Sequence, residues 1–255
     1  MKTILVQPQA NCASESKLAL ICKHRGWKIV HDGEADLKVW LSDEPQYDRA
    51  FIRPSKLMLI DRRLFINRRL HAITKQTVND VHVPVFGYGV GVDPETHDGP
   101  CVRKRLDHGT HGKVIQCPEK RQRGFCYQKL LTNSPGDTME EFRLDIYGPE
   151  ILNTLKYLQK DAVGFPPAKR QNASFDFNVG LGMFSPEEVN CLRRFSMIIG
   201  LGFGSLDVIR HRDGLLYVID ATTNTAAPTI SWYRNTTMEH YLAVSAAYFE
   251  RGLLG

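Results

Sequence analysis

The stretch that most constrains this chain is "SLDVIRHRDGLLYVIDATTN", residues 205–224. Two runs rich in Leu, Ile and Val, Leu206–Ile209 and Leu215–Ile219, flank Asp213-Gly214, a pair that tolerates the positive φ of a tight hairpin turn. A two-residue loop at that pair sets Arg212 opposite Leu215, Ile209 opposite Val218, and Asp207 opposite Asp220. The two carboxylates are then cross-strand neighbours with Cβ atoms about 4.5–5.5 Å apart, where like charges destabilise a sheet. Two readings of the pair stand open. Either both side chains point into water, or a cation lies between them, as Mg²⁺ does when it takes one or two carboxylates and shares phosphate oxygens.

The rest of the chain narrows the setting. At 255 residues it can bury a sizeable core, as one domain or as coupled lobes. No run approaches the roughly 18 apolar residues of a membrane span, and "MKTILVQPQAN" reads as a first strand, not a signal peptide. Cys12, Cys22, Cys101, Cys117, Cys126 and Cys191 are scattered without a Cys-x-x-Cys pair, which points to reduced thiols and a cytoplasmic setting. The net charge of +5 is mildly basic; clusters such as "DRRLFINRRLH" and "EKRQRG" suit phosphate ligands or a solvated face, and no zinc finger, RNP-like motif or long basic helix points to nucleic acid.

Hydrophobic periodicity orders the elements. "KTILVQ" reads as a strand and is followed by a helix over about 14–24, with Leu18, Ile21 and Cys22 on one face and Gly26 as its stop. "WKIVH" and "LKVWLS" are further strands. A helix is expected over "NRRLHAITKQTVNDVH", with Leu70, Ile73 and Val78 on one side. From about Pro84 strands with tight loops follow: "VFGYGVGV", "CVRKRL", "KVIQCP", "FCYQKLL" and "FRLDIYG". Residues 160–184 read as a long loop rich in Pro, Gly and Asn. "SPEEVNCLRRFSMIIGLG" is a helix with Ser185 as cap, Pro186 at its first position and Glu188 completing a capping box. Its buried stripe is Val189, Leu192, Phe195 and Ile199, and a last helix spans about 238–251.

Taken in order, five blocks resemble the ATP-grasp superfamily: Lys75 in "NRRLHAITKQTV"; Lys104 with Gly109 and Gly112 in "CVRKRLDHGTHGKVI"; "YQKLL"; Glu141-Phe142-Arg143; and the acid-bearing hairpin. The match is similar to an uncharacterised group near glutathione-synthetase-type ligases. The resemblance implies an α/β (α+β) fold in which a small N-terminal domain, residues 1–66, precedes two subdomains, 67–132 and 133–255, that grip the nucleotide. It implies ATP and Mg²⁺ as cofactors. Substrates would be a small-molecule or peptide carboxylate and an amine, with neither nucleic acid nor membrane as partner.

Residue by residue, the resemblance implies Lys75, Lys104 and Arg143 on the phosphates, with the loop of Gly109 and Gly112 covering them. Gln128 would bond the adenine edge, Lys129 and Leu130 would offer backbone groups to it, and Glu141 would accept from the ribose. Asp207 and Asp220 would hold the metal. Arg170 and Asn172 resemble the Arg-x-Asn where the acyl-phosphate forms. Two departures stand out. Thr222 occupies the position of the family's metal-binding Asn, with Asn224 two residues on, and the hinge acid is Gln128. Three activities fit these residues: a carboxylate–amine ligase, a catalytically silent nucleotide-binding scaffold, and a small-molecule kinase.

Overall fold

The computed structural model describes residues 1–7, 16–31, 35–40, 65–67, 73–106, 112–131, 138–160, 174–177, 180–223 and 236–254. Near the N-terminus a parallel sheet forms from β1 (Thr3–Gln7), β2 (Lys28–Val30), β3 (Leu37–Trp40) and β4 (Phe65–Ile66), in the order β2-β1-β3-β4. Between β1 and β2 runs α1 (Lys17–Arg25). It begins at Lys17 because the Ser16 hydroxyl accepts from the Ala19 N–H, and it ends on Gly26 in the left-handed region, as expected.

Helix α2 (Lys75–Phe86) is shorter at its start and longer at its end than the periodicity predicts. Asn67 adopts a φ of 68° and bonds the backbone of residues 202 and 203 through its amide, so it cannot begin a helix. Instead Thr74 caps α2 by accepting from the Thr77 N–H at 3.1 Å. Pro84 does not stop the helix: it and Asp80 are exposed, so water can bond the carbonyl that loses its donor. The expected strand "VFGYGVGV" is therefore the end of α2 and a loop, in which Gly91 alone bridges to Gln128.

Two antiparallel sheets follow. The first is three-stranded, in the order β6-β5-β7, from β5 (Gly99–Arg105), β6 (Lys113–Cys117) and β7 (Phe125–Lys129). The second has the order β10-β9-β8-β11-β12, from β8 (Thr138–Tyr147), β9 (Glu150–Lys160), β10 (Ser174–Asp176), β11 (Phe203–Arg210) and β12 (Leu216–Thr222). Strand β9 had no counterpart in the sequence reading, and β10 lies inside the expected loop. Gly148, at a φ of 61°, makes the turn that joins β8 to β9.

The five-stranded sheet has two unlike faces. Phe142, Leu144, Ile146, Leu206 and Val208 pack on α3 (Pro186–Ile199), whose Leu192, Phe195 and Ile199 are buried, and on Val78 and Val85 of α2. The capping box of Ser185 and Glu188 is present. Each such side chain contributes about 1.5–3 kcal/mol by leaving water. Residues between them in sequence, Arg143, Asp145, Ser205 and Asp207, point to the other face. At one end of that face, Tyr147 and Phe203 join Ile4, Val6, Leu18 and Ile21 and the buried side of α4 (Met238–Phe249), which a π-helical turn, Glu250–Leu254, extends.

Candidate functional site

The hairpin brings Asp207 opposite Asp220 as expected, but by a different path. The loop has three residues: the His211 N–H bonds the Leu215 carbonyl at 3.0 Å, and the Gly214 N–H bonds the His211 carbonyl at 2.9 Å. Gly214, with φ 80°, supplies the left-handed residue this loop type needs. The ladder near the turn is thereby offset by one. Ile209 faces Tyr217 and Val208 faces Val218, not the partners a two-residue turn implies. A bulge at Ile219 absorbs the offset and restores Asp207 to Asp220 and Ser205 to Thr222. The bulge also frees the Ile219 carbonyl, which accepts from Lys104 Nζ at 3.2 Å and lies 3.5 Å from Gln128 Nε2.

Neither acid is a solvated surface group. Arg143, opposite Asp207 on β8, grips it with both arms of its guanidinium, Nε to Oδ1 at 2.8 Å and Nη2 to Oδ2 at 3.0 Å. Asp220 is largely enclosed. Burial raises its pKa, the positive charges of Lys75 and Lys104 oppose the rise, and the charge of Asp207 adds to it. Burial likewise lowers the pKa of Lys104, against the pull of Asp220. Lys75, the first residue of α2, is buried beside them. One sheet row, Arg143–Asp207–Asp220, thus meets two lysines from separate elements.

The donor set fits a phosphate-shared metal. Among the described residues no group of three or more His, Cys, Asp and Glu side chains could hold an ion alone. Two facing carboxylates with the Thr222 hydroxyl one row below leave coordination for phosphate oxygens, which is how Mg²⁺ is commonly held.

The remaining expected residues divide. Glu141 lies two residues from Arg143 on the same face, opposite Ile209. Lys129 ends β7, with Nζ 5.5 Å from the Tyr217 ring centre, and Leu130 follows it. Gly112 is buried just before β6. Gln128 turns its amide nitrogen away from the loop side of β7. It is buried and donates to Asn79 Oδ1 at 2.8 Å, because β7 turns this side chain inward toward α2. Gly109, Arg170, Asn172 and Asn224 lie outside the described residues.

Three features escaped sequence reasoning. Leu131, Ile209 and Ile219 form an apolar patch between β7 and the hairpin. Lys17 of α1 pairs with Asp145, which also accepts from Ser205 Oγ at 2.7 Å, one row below Arg143 and Asp207. The alternation Glu141-x-Arg143-x-Asp145 was the available signal for Asp145. No local pattern points to Lys17.

The third is the covering of β12, an edge strand. The Val218 N–H donates to His82 Nε2 at 3.2 Å, and Tyr88 Oη bonds both the N–H and the carbonyl of Leu216. His82 must therefore be neutral with its proton on Nδ1, bonded to the Tyr88 carbonyl at 2.8 Å. Burial lowers its pKa, and the charge of nearby Lys129 adds to that; the Tyr88 carbonyl opposes it. An unfolded chain thus binds this proton more readily than the folded one, so stability falls as pH drops below about 6.5 toward the lowered value. We expect the Tm lost between pH 7.5 and 5.5 to shrink in His82→Gln, which keeps an acceptor for Val218 but does not titrate. An unchanged pH slope would refute this role.

The architecture has close counterparts among solved structures. "ATP-grasp ligase PsnB complexed with minimal precursor, Mg, and ADP" superposes with a TM-score of 0.55 at 13% identity, over 97% of this chain and 96% of that one. The chain has the ATP-grasp fold. The macrocyclase MdnC from Microcystis aeruginosa MRC, solved with precursor peptide MdnA, matches at TM-score 0.56 and 13% identity over 97% and 99% of the two chains. A RimK domain ATP-grasp protein from Sphaerobacter thermophilus DSM 20745 matches at 0.53 and 11% over the full length of both. No family model matches the sequence, and no curated protein does. In this ATP-grasp fold the row of Arg143, Asp207 and Asp220 lies on the polar face of the five-stranded sheet. No described helix is long and apolar enough to cross a membrane.

Proposed function

We propose that this chain is an ATP-dependent ligase that joins a carboxylate to an amine and acts on a peptide. The observation that carries the reading is the meeting of Lys75 and Lys104 with the Arg143–Asp207–Asp220 row. Three cations and two acids on one side of a sheet suit a triphosphate and its counter-ion, and gathering them is costly without a ligand. The precursor peptides held by PsnB and MdnC support a peptide substrate.

In this reading the units are residues 1–66, 67–132 and 133–255, each containing one of the three sheets. Helix α2, although within the second, packs on β12 and α3 of the third. Lys129 and Leu130 present backbone groups to adenine against the patch of Leu131, Ile209 and Ile219, and Glu141 accepts from the ribose. Gln128 fixes this hinge through Asn79 and the Ile219 carbonyl. Lys75 and Lys104 draw the phosphates in, and the loop of Gly109 and Gly112 covers them. Asp207 and Asp220, with Thr222 or Asn224, would hold Mg²⁺, which neutralises the β and γ oxygens when bound.

A substrate carboxylate oxygen then attacks the γ-phosphorus, and ADP leaves with the electron pair of the broken bond. The amine attacks the acyl carbon, phosphate departs, and the nitrogen loses its proton to solvent. Arg143, Arg170 and Asn172 stabilise the charge on the transferred group. No covalent enzyme nucleophile is required, and catalysis is positioning with electrostatics.

The test is mass spectrometry of acidic, lysine-containing peptides after incubation with ATP and Mg²⁺. Loss of one water per bond, matched by equal ADP and phosphate, is expected. A stable phosphopeptide would make the protein a kinase. Binding of ATP with no ADP formed, across a broad set of acids and amines, would make it a scaffold.

A further inference from the structure

Arg143 has three carboxylates within its reach. On β8 Glu141 and Asp145 each lie two residues away, about 6.8 Å along the same face, and across the ladder it faces Asp207. Among the described residues it pairs with Asp207 alone. Asp145 is fully buried, and its Oδ1 takes both Lys17 and Ser205, while its Oδ2 has no hydrogen-bond partner among the described residues. Lys17 comes from the N-terminal α1 and is itself almost completely enclosed, with Nζ also 3.4 Å from Ser205 Oγ. A buried carboxylate without its cation attracts the nearest other one strongly.

We propose that Lys17 is a positioning residue for the phosphate site: by neutralising Asp145 it leaves Arg143 aimed at the Asp207–Asp220 row. Helix α1 thereby controls a guanidinium two residues along β8 from its own partner. Without the charge of Lys17, Arg143 swings along β8 to Asp145. Asp207 is then freed for a metal ion, while the phosphates lose a cation. The two effects have opposite signs, and this separates positioning from simple packing. The inference rests on the nucleotide reading of the row.

The experiment is calorimetric titration of the full chain with ADP in EDTA, and separately with Mg²⁺ alone. The variants are Lys17→Met, Asp145→Asn and the pair together, with Lys17→Gln as a gentler variant that keeps a donor to Asp145. Lys17→Met or Lys17→Gln should weaken metal-free ADP about tenfold and tighten Mg²⁺ severalfold. Adding Asp145→Asn should return metal-free ADP to the natural affinity, because the competing charge is gone. Equal weakening of both ligands, or the same loss of ADP affinity whether residue 145 is Asp or Asn, would reduce Lys17 to a packing role. If Lys17→Met does not fold, Lys17→Gln and the double variant decide the matter by the same signs. Should the natural chain bind neither ADP nor Mg²⁺, it is the nucleotide reading of the row that falls.

Discussion

Replacing Lys104 with Met should abolish the stabilisation of this protein by Mg·ATP. At a hundred times its dissociation constant the nucleotide contributes about 2.7 kcal/mol, which for a chain this long is a rise in Tm of roughly 5–10 °C. Methionine keeps the buried stem of Lys104 and removes only the ammonium beside the Ile219 carbonyl and Asp220. Lys75 remains to balance Asp220, so the unliganded fold should survive. The same lysine sets a pH dependence. Burial lowers its pKa below the usual lysine range, so the natural protein should lose nucleotide affinity as pH rises through that lowered value, where the ammonium gives up its proton. The Met variant should show no such decline. Differential scanning fluorimetry with and without Mg·ATP, at neutral and alkaline pH, checks both; an undiminished rise in Lys104→Met would remove this residue from the phosphate site.

The second large effect concerns the facing acids. Cross-strand repulsion alone implies that Asp207→Asn with Asp220→Asn stabilises the unliganded protein. The structure reverses this expectation. Asp207 holds both arms of the partly exposed Arg143, and Asp220 lies among the buried Lys75 and Lys104, so each acid offsets positive charge. Removing the charge of the enclosed Asp220 costs about 3 kcal/mol, loss of the partly exposed Arg143–Asp207 pair adds about 1 kcal/mol at most, and the two losses overlap because the groups share one network. We expect a lower Tm for the double variant, together with a loss of the Mg²⁺ dependence of ATP binding. For the natural protein, Mg²⁺ affinity should decline as pH falls toward the raised pKa of Asp220, since a protonated carboxyl is no ligand. A double variant that gains stability and binds Mg·ATP as before would restore the solvated reading of the pair.

How legible the site was depends on how local each signal is. Ser185, Pro186 and Glu188 announce α3 because a cap needs only neighbours in sequence. The Leu, Ile and Val content that marks β11 was equally plain. The register of the hairpin was harder: the three-residue loop and the bulge at Ile219 cancel, so the correct facing of Asp207 and Asp220 emerged from pairings that were wrong nearer the turn. Gln128 was identified as a hinge residue, but nothing local reveals that its amide donates to Asn79 on α2. The start of α2 failed for a similar reason, because Asn67 is held by the backbone at residues 202 and 203.

Composition and pattern by themselves determined the mixed α/β class, most helices and strands, and the order of lysines, glycines, Arg143 and paired acids along the chain. These depend on period, capping and turn chemistry, which act over a few residues. Tertiary structure alone decided which charges meet. It set Arg143 on Asp207 and not on Asp145, brought Lys17 across from α1, enclosed Asp220 between lysines of two elements, and covered the edge of β12 with His82 and Tyr88. The physical reason is that a charge's partner, protonation and reach depend on burial and on groups distant in sequence, and neither exists until the sheets and helices pack.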